Sequence, residues 1–260
     1  MQTLPKILVT GAAGYIGSVL CEELLKEGYR VTALDNLMYA PRSLFHLIHD
    51  NNFKLVLGDA RDQNIIKPLI GEVDYIIPLA AIVGAPASDK NPELAKEVNL
   101  AAIKMILDMR GSNQRIIFPT TNSGYGIGQE GVYCDEKTPL NPISLYGRIK
   151  VEAEKAVLDA GNSITFRLAT VFGVSPRMRL DLLVNDFVYR ALRDKKITLF
   201  EPHFKRNYIH IRDVARAFIH AIKNFDSMRG EAYNVGLSDA NLSKRELCEE
   251  IKKHISDLVI

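Results

Sequence analysis

Short apolar runs alternate with amphipathic stretches through the first two thirds of the 260-residue chain. Runs of this length are typical of buried parallel strands. We predict strands at Lys6–Thr10, Arg30–Leu34, Phe53–Leu57, Tyr75–Leu79, Arg115–Pro119 and Ile164–Leu168. Apolar residues at three- and four-residue spacing predict helices at Ser18–Glu27, Ser43–Asn51, Asn64–Ile70, Glu93–Met109 and Val151–Ala160. Strands and helices in this order predict an α/β fold, a doubly wound parallel sheet with helices on both faces.

The pattern changes after Phe172, where a segment rich in Arg, Leu and Asp begins. Beyond it we predict strands at Ile197–Phe200 and Asn207–Ile211 and helices at Val214–Lys223 and Ser243–His254. We therefore divide the chain into a larger domain, residues 1–172, and a smaller substrate-binding region, residues 173–260, that covers the crevice of the sheet. Because the chain ends soon after its last predicted helix, we expect the smaller region to be incomplete.

Charge and composition exclude several classes of function. The 33 basic and 31 acidic residues are interspersed and leave a formal net charge of +2, so we predict no nucleic-acid or anionic membrane partner. The three cysteines are too few for a disulfide framework, and neither they nor the six histidines have metal-ligand spacing. The longest apolar stretch, residues 75–87, is interrupted by Pro78 and Gly84. We therefore expect a cytoplasmic protein without a metal site or membrane span.

Three glycines follow the first predicted strand directly and open the first predicted helix. Gly11 permits a tight turn, Gly14 lets the backbone approach a pyrophosphate, and Gly17 allows the helix to pack on the strand. The helix N-terminus, with Tyr15 and Ile16 in its first turn, supplies N–H donors and a partial positive charge. This position predicts the phosphate-binding loop of a Rossmann domain, although a glycine-rich turn alone is equally often an ordinary turn.

Carboxylates at the ends of the second and third strands strengthen that prediction. Asp35, followed by Asn36, lies roughly twenty residues beyond the glycines, where a carboxylate can accept from both hydroxyls of an adenosine ribose. The same charge repels a 2′-phosphate, which favours NAD over NADP. The alternative is that Asp35 merely caps a strand end. Asp59, followed by Ala60, suits an adenine amino group.

A Tyr and a Lys four residues apart lie on one face of a helix, where the ammonium can favour the ionised phenol. The sequence contains two such pairs, Tyr133/Lys137 and Tyr146/Lys150. Pro139 follows the first pair closely and disfavours a helix there. The second pair leads into a helical pattern, which favours Tyr146 and Lys150 as the functional pair.

In this interpretation Tyr146 takes the proton from a substrate hydroxyl whose carbon gives a hydride to NAD. Lys150 binds the nicotinamide ribose and, together with the positive nicotinamide, lowers the pKa of Tyr146. A second hydrogen-bond partner for the substrate oxygen comes from Thr120, Thr121 or Ser123, which follow the fifth strand at the carboxyl edge of the sheet.

Taken in order, these motifs resemble the extended short-chain dehydrogenase/reductase family, in its NAD-dependent sugar-nucleotide epimerase/dehydratase branch. The motifs are the glycine loop, Asp35, Gly58-Asp59-Ala60, Leu79-Ala80-Ala81, Val98-Asn99, Tyr125-Gly126, Tyr146 with Lys150, and Arg206 through Asp213. The resemblance implies that Leu79, Ala80, Ala81 and Asn99 belong to the cofactor site. It also implies that Tyr146 and Lys150 are the catalytic pair, with Thr121 as the catalytic hydroxyl residue.

The same resemblance implies the chemistry. Ser123 and Arg206 would contact the substrate, a nucleotide-activated sugar oxidised at C4 by an epimerase or a 4-dehydrogenase of bacterial surface polysaccharide synthesis. A surface ion pair is the equally plain alternative for Arg206. Dehydratases of the branch carry acidic residues after the catalytic Thr, where this chain has Asn122 and Ser123, so a 4,6-dehydratase is less favoured.

Residues 119–128 and 175–187 resemble the GDP-heptose 4-dehydrogenases of capsule synthesis. Two other classes stay open: a catalytically silent NAD-binding or sensing protein, and an NADP-dependent reductase of small carbonyl compounds. The helices at 93–109 and 151–160 resemble a pair that forms a four-helix dimer interface, which implies a homodimer. The alternative is that both apolar faces are simply buried against the sheet.

Overall fold

The computed structural model describes residues 4–39, 41–127 and 133–260, so Gly128, at the end of the segment 119–128, lies outside the described residues. Within them the strands are β1 Lys6–Thr10, β2 Arg30–Asp35, β3 Phe53–Leu57, β4 Tyr75–Pro78, β5 Arg115–Thr121, β6 Ser163–Leu168, β7 Thr170–Phe172, β8 Lys205–His210, β9 Ala232–Val235 and β10 Asn241–Ser243. The α-helices are α1 Tyr15–Lys26, α2 Gln63–Ile70, α3 Ala85–Lys90, α4 Pro92–Lys96, α5 Ala102–Met109, α6 Leu145–Asp159, α7 Leu183–Asp194, α8 Ile211–Lys223, α9 Phe225–Met228 and α10 Lys244–Lys252.

Seven strands form one sheet in the order β3-β2-β1-β4-β5-β6-β9, and every neighbouring pair is parallel. Side chains of α1 and α8 fill one face of this sheet, and side chains of α2, α5 and α6 fill the other. Parallel strands covered on both faces need apolar residues on both sides, which explains the continuous apolar runs in the sequence. The predicted doubly wound α/β fold is confirmed.

The sheet has a topological switch point between β1 and β4. The chain places β2 and β3 on one side of β1 and then crosses to start β4 on the other side. Ligands of doubly wound folds bind in the crevice that opens at the carboxyl ends of such strands. A Cβ on Gly11, whose φ is +66°, would lie 2.5 Å from the Ala80 nitrogen. The turn after β1 therefore touches the loop after β4, and only glycine fits there.

A second sheet of three strands, in the order β10-β8-β7, carries the smaller region. Its core, which includes Phe187, Tyr208 and Leu247, joins this sheet to α7 and α10. The chain also returns to the large sheet, because α8 packs on α1 and β9 pairs with β6. Residues after 172 thus contribute to both layers, and the division at residue 172 stays a prediction.

Three predicted elements differ from the structure. In place of a helix at Ser43–Asn51 there is a 3-10 turn, Phe45–Leu47, beside which Leu44 is buried while Phe45 and Ile48 stay exposed. Residues 197–200 form no strand, and the only pairing nearby in the described chain is an isolated bridge between Lys196 and Val259. The long helix predicted at Glu93–Met109 is divided into α4, a π-helical turn and α5.

The two helices of the predicted dimer interface pack their apolar residues inward. Ile149, Ala153 and Val157 of α6 are buried in the molecule. Charged residues lie at outward positions. The Nζ of Lys104 on α5 lies 2.8 Å from the Oε1 of Glu152 on α6. The homodimer stays a prediction, as does the cytoplasmic location. Among the described residues, none of the helices is both long enough and apolar enough to cross a membrane.

Candidate active site

A cavity of about 630 Å³ opens at the carboxyl edge of the large sheet, at the switch point. Most of the residues predicted for a cofactor and catalytic site line it together. They are Gly11, Gly14, Tyr15, Ile16, Gly17, Asp35, Asn36, Asp59, Ala60, Leu79, Ala80, Ala81, Thr121, Tyr146 and Lys150. Three predicted residues do not line it: Asn99, Ser123 and Arg206.

The glycine turn is packed too tightly for any side chain. A Cβ on Gly17 would lie 2.5 Å from the Gly11 carbonyl oxygen and 2.7 Å from that of Ala12, and a Cβ on Gly14 would lie 2.9 Å from the Gly11 oxygen. Gly14 is also the N-cap of α1 and brings no capping side chain. The first-turn N–H groups of α1 therefore lack intrahelical acceptors beside the cavity, an arrangement that suits a diphosphate.

Asp35 closes the other side of this turn. Its carboxylate accepts from the Ala13 N–H at 2.9 Å and from the Leu37 N–H at 2.7 Å. Burial raises the pKa of Asp35, and these two backbone donors oppose the rise. A carboxylate has about four acceptor sites. Asp35 therefore holds the glycine turn and keeps acceptor capacity for the two hydroxyls of a ribose.

Asp59 is already paired. Its carboxylate lies 2.8 Å from a guanidinium nitrogen of Arg61, which also contacts Glu97 at 2.7 Å. The hydrogen bond from Arg61 lowers the pKa of Asp59. Arg61 lines the cavity and was not predicted from the sequence, although its place two residues after a strand-end carboxylate was a usable signal. The adenine contact of Asp59 stays a prediction, and Arg61 competes for the same carboxylate.

Local structure brings the predicted reacting groups to the wall of the same cavity. Ser144 caps α6 by accepting from the Gly147 N–H at 3.0 Å, which sets Tyr146 and Lys150 in the first turns of the helix. Thr121 ends β5, and its hydroxyl accepts from the Ser123 N–H at 3.2 Å. Strand β5 and helix α6 are packed together, so the Thr and the Tyr/Lys pair face one cavity.

Burial shifts the pKa of Lys150 and the pKa of Tyr146 away from their usual values. Lys150 is 4% exposed, its Nζ lies 3.9 Å from the centre of the Phe118 ring, and burial lowers its pKa to about 7 against the opposing charge of Glu154. Burial raises the pKa of Tyr146 to about 12, and Arg179 acts in the opposite direction. Desolvation dominates the pKa of Tyr146 in the protein alone, and the prediction that Lys150 and the positive nicotinamide together lower this pKa stays a prediction.

Charged residues that the sequence interpretation did not assign line the cavity from the segment after β7. Arg177, Arg179 and Asp181 reach it, beside the apolar Leu182. Arg179 is ion-paired with Asp181, its Nε lying 3.1 Å from the carboxylate. The guanidinium of Arg177 lies 5.2 Å from the centre of the Tyr39 ring. Closely spaced arginines directly after a strand at the carboxyl edge were the signal that could have identified them.

Hydrogen bonds from Tyr15 and Asn185 fasten this segment to α1. The Tyr15 hydroxyl donates to the Gly173 carbonyl oxygen at 2.7 Å and accepts from the Asn185 side-chain nitrogen at 3.1 Å. The same nitrogen donates to the Arg179 carbonyl oxygen at 2.9 Å, and the Ser175 hydroxyl donates to the Tyr15 carbonyl oxygen at 2.8 Å. We call residues 173–185 the cover segment. Its main anchor on α1 is the side chain and backbone of Tyr15, and the Ser18 and Ser175 hydroxyls, 3.0 Å apart, add a second contact.

The three remaining predicted residues lie away from the cavity wall. Asn99 is buried and holds the backbone of Ile82, accepting from its N–H at 2.8 Å and donating to its carbonyl oxygen at 2.9 Å. Since Ile82 lines the cavity, Asn99 touches it only through that residue. Ser123 is exposed and lies 3.2 Å from the Thr121 hydroxyl. Arg206 is exposed on β8, paired in register with Leu242.

These features fit a dinucleotide. The glycine turn leaves room for a diphosphate at a helix N-terminus, Asp35 offers acceptors for an adenosine ribose, and Lys150 offers a donor at the opposite end. The cavity joins the three sites without a break.

Comparisons with known proteins agree with this geometry. The sequence model of the NAD dependent epimerase/dehydratase family matches residues 7–236. A Bacillus subtilis (strain 168) protein described as an uncharacterized UDP-glucose epimerase, YtcB, is 33% identical over 249 residues, which cover 89% of this chain and 76% of that protein. A UDP-glucose 4-epimerase of Lactobacillus helveticus is 28% identical, with 95% of this chain and 81% of that protein covered.

A solved structure of the same kind superposes closely. The UDP-glucuronic acid 4-epimerase from Bacillus cereus, in complex with UDP-glucuronic acid and NAD, has a TM-score of 0.85 and 26% identity. The superposition covers 95% of this chain and 82% of the other. The likeness thus extends over nearly all of the chain, and residues 7–236, which the family model matches, include every residue that lines the cavity.

Proposed function

The chain belongs to the NAD-dependent epimerase/dehydratase family, whose cofactor is NAD, and from that premise we propose that it oxidises C4 of a nucleotide-activated sugar. The resulting 4-keto sugar is either re-reduced on the opposite face of C4, as in an epimerase, or released, as in a 4-dehydrogenase. The observation that carries the proposal is the meeting of Thr121, Tyr146 and Lys150 with the glycine turn and Asp35 at one cavity.

The reacting end assigns one task to each side chain. Tyr146 takes the proton of the C4 hydroxyl, and the Thr121 hydroxyl hydrogen-bonds the same sugar oxygen. Lys150 donates to the hydroxyls of the nicotinamide ribose and keeps positive charge near the phenol. NAD, when bound, supplies the hydride acceptor. Because burial raises the pKa of Tyr146 to about 12, its function as a base depends on positive charge brought close to it.

The charges of the cover segment suit the nucleotide diphosphate of the substrate. Arg177 and Arg179 line the cavity, whereas Arg206 lies exposed outside its wall. A planar guanidinium binds phosphate oxygens in a bidentate manner. We therefore assign the diphosphate to Arg177 and Arg179, with Arg206 kept as a predicted contact. Ser123, two residues after Thr121, is kept as a predicted sugar contact.

Dehydration at C5 and C6 is a weaker alternative. It needs an acid/base pair beside Thr121, where the chain has Asn122 and Ser123. Of the described carboxylates that line the cavity, Asp181 is ion-paired with Arg179, and the others lie at the ends of β2 and β3. C4 oxidation without dehydration therefore fits the site better. Nucleotide sugars are the activated donors of polysaccharides, and we propose a role in surface polysaccharide synthesis on that ground.

Absorbance at about 340 nm, where NADH absorbs, tests the proposal directly. The purified protein is mixed with NAD and a panel of UDP-, GDP-, CDP- and dTDP-sugars. Lasting NADH with one sugar identifies a dehydrogenase, and an inverted C4 centre without lasting NADH identifies an epimerase. Loss of both signals in a protein that still binds NAD would favour the silent binding protein and overturn the proposal.

Tyr146→Phe provides the matched variant for this assay. We expect the turnover rate to fall by about 10²- to 10⁴-fold while NAD affinity stays the same, because only the proton acceptor is lost. Tyr133→Phe is the control, since this exposed tyrosine belongs to the pair that was not favoured. Equal loss in both variants would contradict the assignment of Tyr146.

The family resemblance also supports a homodimer through the helices at 93–109 and 151–160. The charged outward positions described above, with the Lys104–Glu152 pair, would then face the partner. Sedimentation equilibrium of the protein and of a Lys104→Glu variant tests this arrangement. A variant that stays as associated as the unmodified chain would place the contact elsewhere.

A further inference from the structure

A buried ion pair lies directly behind the reacting end. The side chains of Glu154 and Arg167 are only 4% and 8% exposed. Two nitrogens of Arg167 donate to the Glu154 carboxylate. Its Nη2 lies 2.7 Å and its Nε 3.0 Å from Oε1, and the same Nε lies 3.3 Å from Oε2. Removing two charges from water is costly, and such a pair adds little net stability compared with apolar residues. Its presence therefore needs an explanation other than stability.

Arg167 also binds the turn that follows Thr121. Its Nη1 donates to the Tyr125 hydroxyl at 2.9 Å and to the Glu136 carbonyl oxygen at 3.1 Å. The Tyr125 hydroxyl donates in turn to the Asn234 side-chain oxygen at 2.7 Å. One guanidinium thus joins α6, β6, the turn after β5 and the loop before α6.

This pair connects the three groups assigned to catalysis. Glu154 follows Lys150 by four residues and lies on the same face of α6, one turn further along. Tyr125 ends the 3-10 turn that begins directly after Thr121. A Cβ on Gly147 would lie 3.2 Å from the Ser123 carbonyl oxygen, so the turn rests closely on the first turn of α6. A shift of Arg167 would move helix and turn apart.

We propose that Glu154 and Arg167 are positioning residues, which hold the Thr121 turn against α6 and keep Lys150 in the charged form that can donate to a ribose. This inference rests on the proposed function, because it explains how that reacting end is maintained. Neither residue lines the cavity, so each acts through Lys150, Tyr146 or Thr121.

The charged and titratable groups near Lys150 come from several elements. Tyr146 and Glu154 lie on α6 itself, Arg167 comes from β6, Tyr125 from the turn after β5, and Arg179 from the cover segment, where it acts on Tyr146. Among them Glu154 raises the pKa of Lys150 against the effect of burial. The position of Glu154 on α6 and its effect on the pKa of Lys150 therefore both indicate that Glu154 supports the charged form of Lys150.

Glu154→Gln tests the inference through the pH dependence of two measurements. The first is the rate of NADH formation with the active sugar nucleotide, and the second is NAD affinity by calorimetry, which needs no turnover. Without the carboxylate, Lys150 loses its proton at lower pH, and the remaining charge of Arg167 acts in the same direction. We expect the alkaline limb of both profiles to move to lower pH by about one unit, a tenfold loss on that limb.

Two further variants separate positioning from folding. Asp159→Asn removes an exposed acid from the same helix and should leave both profiles unchanged. Glu154→Gln combined with Arg167→Met removes both charges. The alkaline limb of both pH profiles should then return toward its position in the unmodified protein. A thermal midpoint near that of the unmodified protein shows that each variant is folded.

The outcomes are distinct from those of the proposed function. If the unmodified protein forms no NADH and inverts no sugar, the proposed function fails, and the NAD affinity profile still tests Glu154. If Glu154→Gln is folded and both alkaline limbs keep their position, with at most a uniform loss of rate, the positioning inference is overturned.

Discussion

A hydrophobic side chain at the position of Lys150 would make the folded protein more stable. Lys150 is 4% exposed, with the Phe118 ring below its Nζ, and burial lowers its pKa from 10.5 to about 7. Between these two values the unfolded chain binds more protons than the folded protein, so stability rises with pH in that window. Below about pH 7 the ammonium is buried as a charge, and the full cost is present.

We therefore expect Lys150→Met to abolish turnover and to increase the free energy of unfolding. Each pKa unit corresponds to about 1.4 kcal/mol, so the gain at pH 6 should reach several kcal/mol and shrink toward pH 10. Urea unfolding at pH 6 and pH 9 measures the difference. Lys155→Met, at an exposed position of the same helix, is the control. If the free energy of unfolding rises by the same amount at both pH values, Lys150 is not a buried charge whose pKa is lowered.

Sequence reasoning placed correctly those residues whose position follows from the backbone. Gly11, Gly17 and Asp35 are fixed by the end of a strand and the start of a helix, and these positions can be located from a pattern of apolar residues. The cover arginines were missed, because their place depends on hydrogen bonds between residues far apart, such as Tyr15 and Asn185. The raised pKa of Tyr146 was missed for a similar reason: desolvation depends on which side chains surround it.

At the scale of elements, the cover segment is attached to the start of α1, beside the glycine turn, chiefly by Tyr15. Tyr15→Phe would leave the Gly173 carbonyl oxygen and one Asn185 contact without this partner, at a cost of about 1–3 kcal/mol. The N–H groups of α1 are unchanged, so we expect NAD affinity to persist while the KM for the sugar nucleotide rises roughly tenfold.

Steady-state kinetics and NAD titration, measured on the same preparation, check this expectation. Tyr189→Phe, at a half-exposed position on α7, serves as the control. A normal KM for Tyr15→Phe would show that the cover segment does not need the Tyr15 hydroxyl as an anchor.

The elements predicted correctly are those whose own residues carry the information. Strands β1 and β3 have the predicted bounds because short apolar runs bounded by polar residues are typical of strands, both for the buried β1 and for the edge strand β3, where Leu57 stays exposed. Strand β9, Ala232–Val235, escaped prediction because it is short and is defined by its pairing with β6. The predicted strand at 197–200 is absent for the complementary reason: its residues have β propensity, but no strand of the described chain pairs with them.

At the scale of the whole molecule, the large sheet needs residues from both ends of the chain. Phe218 of α8 packs edge-on against Phe166 of β6, with ring centres 5.2 Å apart, and β9 covers the edge of β6. A fragment of residues 1–172 lacks both elements. We expect it to aggregate or to unfold without a cooperative transition, because an apolar face and a strand edge are left open.

Circular dichroism during urea unfolding of the fragment and of the full chain measures this. The full chain should unfold in one transition. A fragment with a cooperative transition of its own would instead support an independent domain that ends at residue 172.

The pairing of Phe172 with His210, across β7 and β8, brings together two points that are far apart in sequence. Residues 173–209 therefore leave the fold and return to it at neighbouring positions, with Phe187 and Tyr208 of this stretch buried in the core of the smaller region. Lengthening its exposed loops costs little, because the entropy of loop closure grows only with the logarithm of loop length. This one continuous stretch carries the cavity-lining charges that we assign to the substrate, so evolution can change those charges while the large sheet stays intact, as long as the buried positions are kept. Grafting it between relatives is the corresponding route to altered sugar specificity.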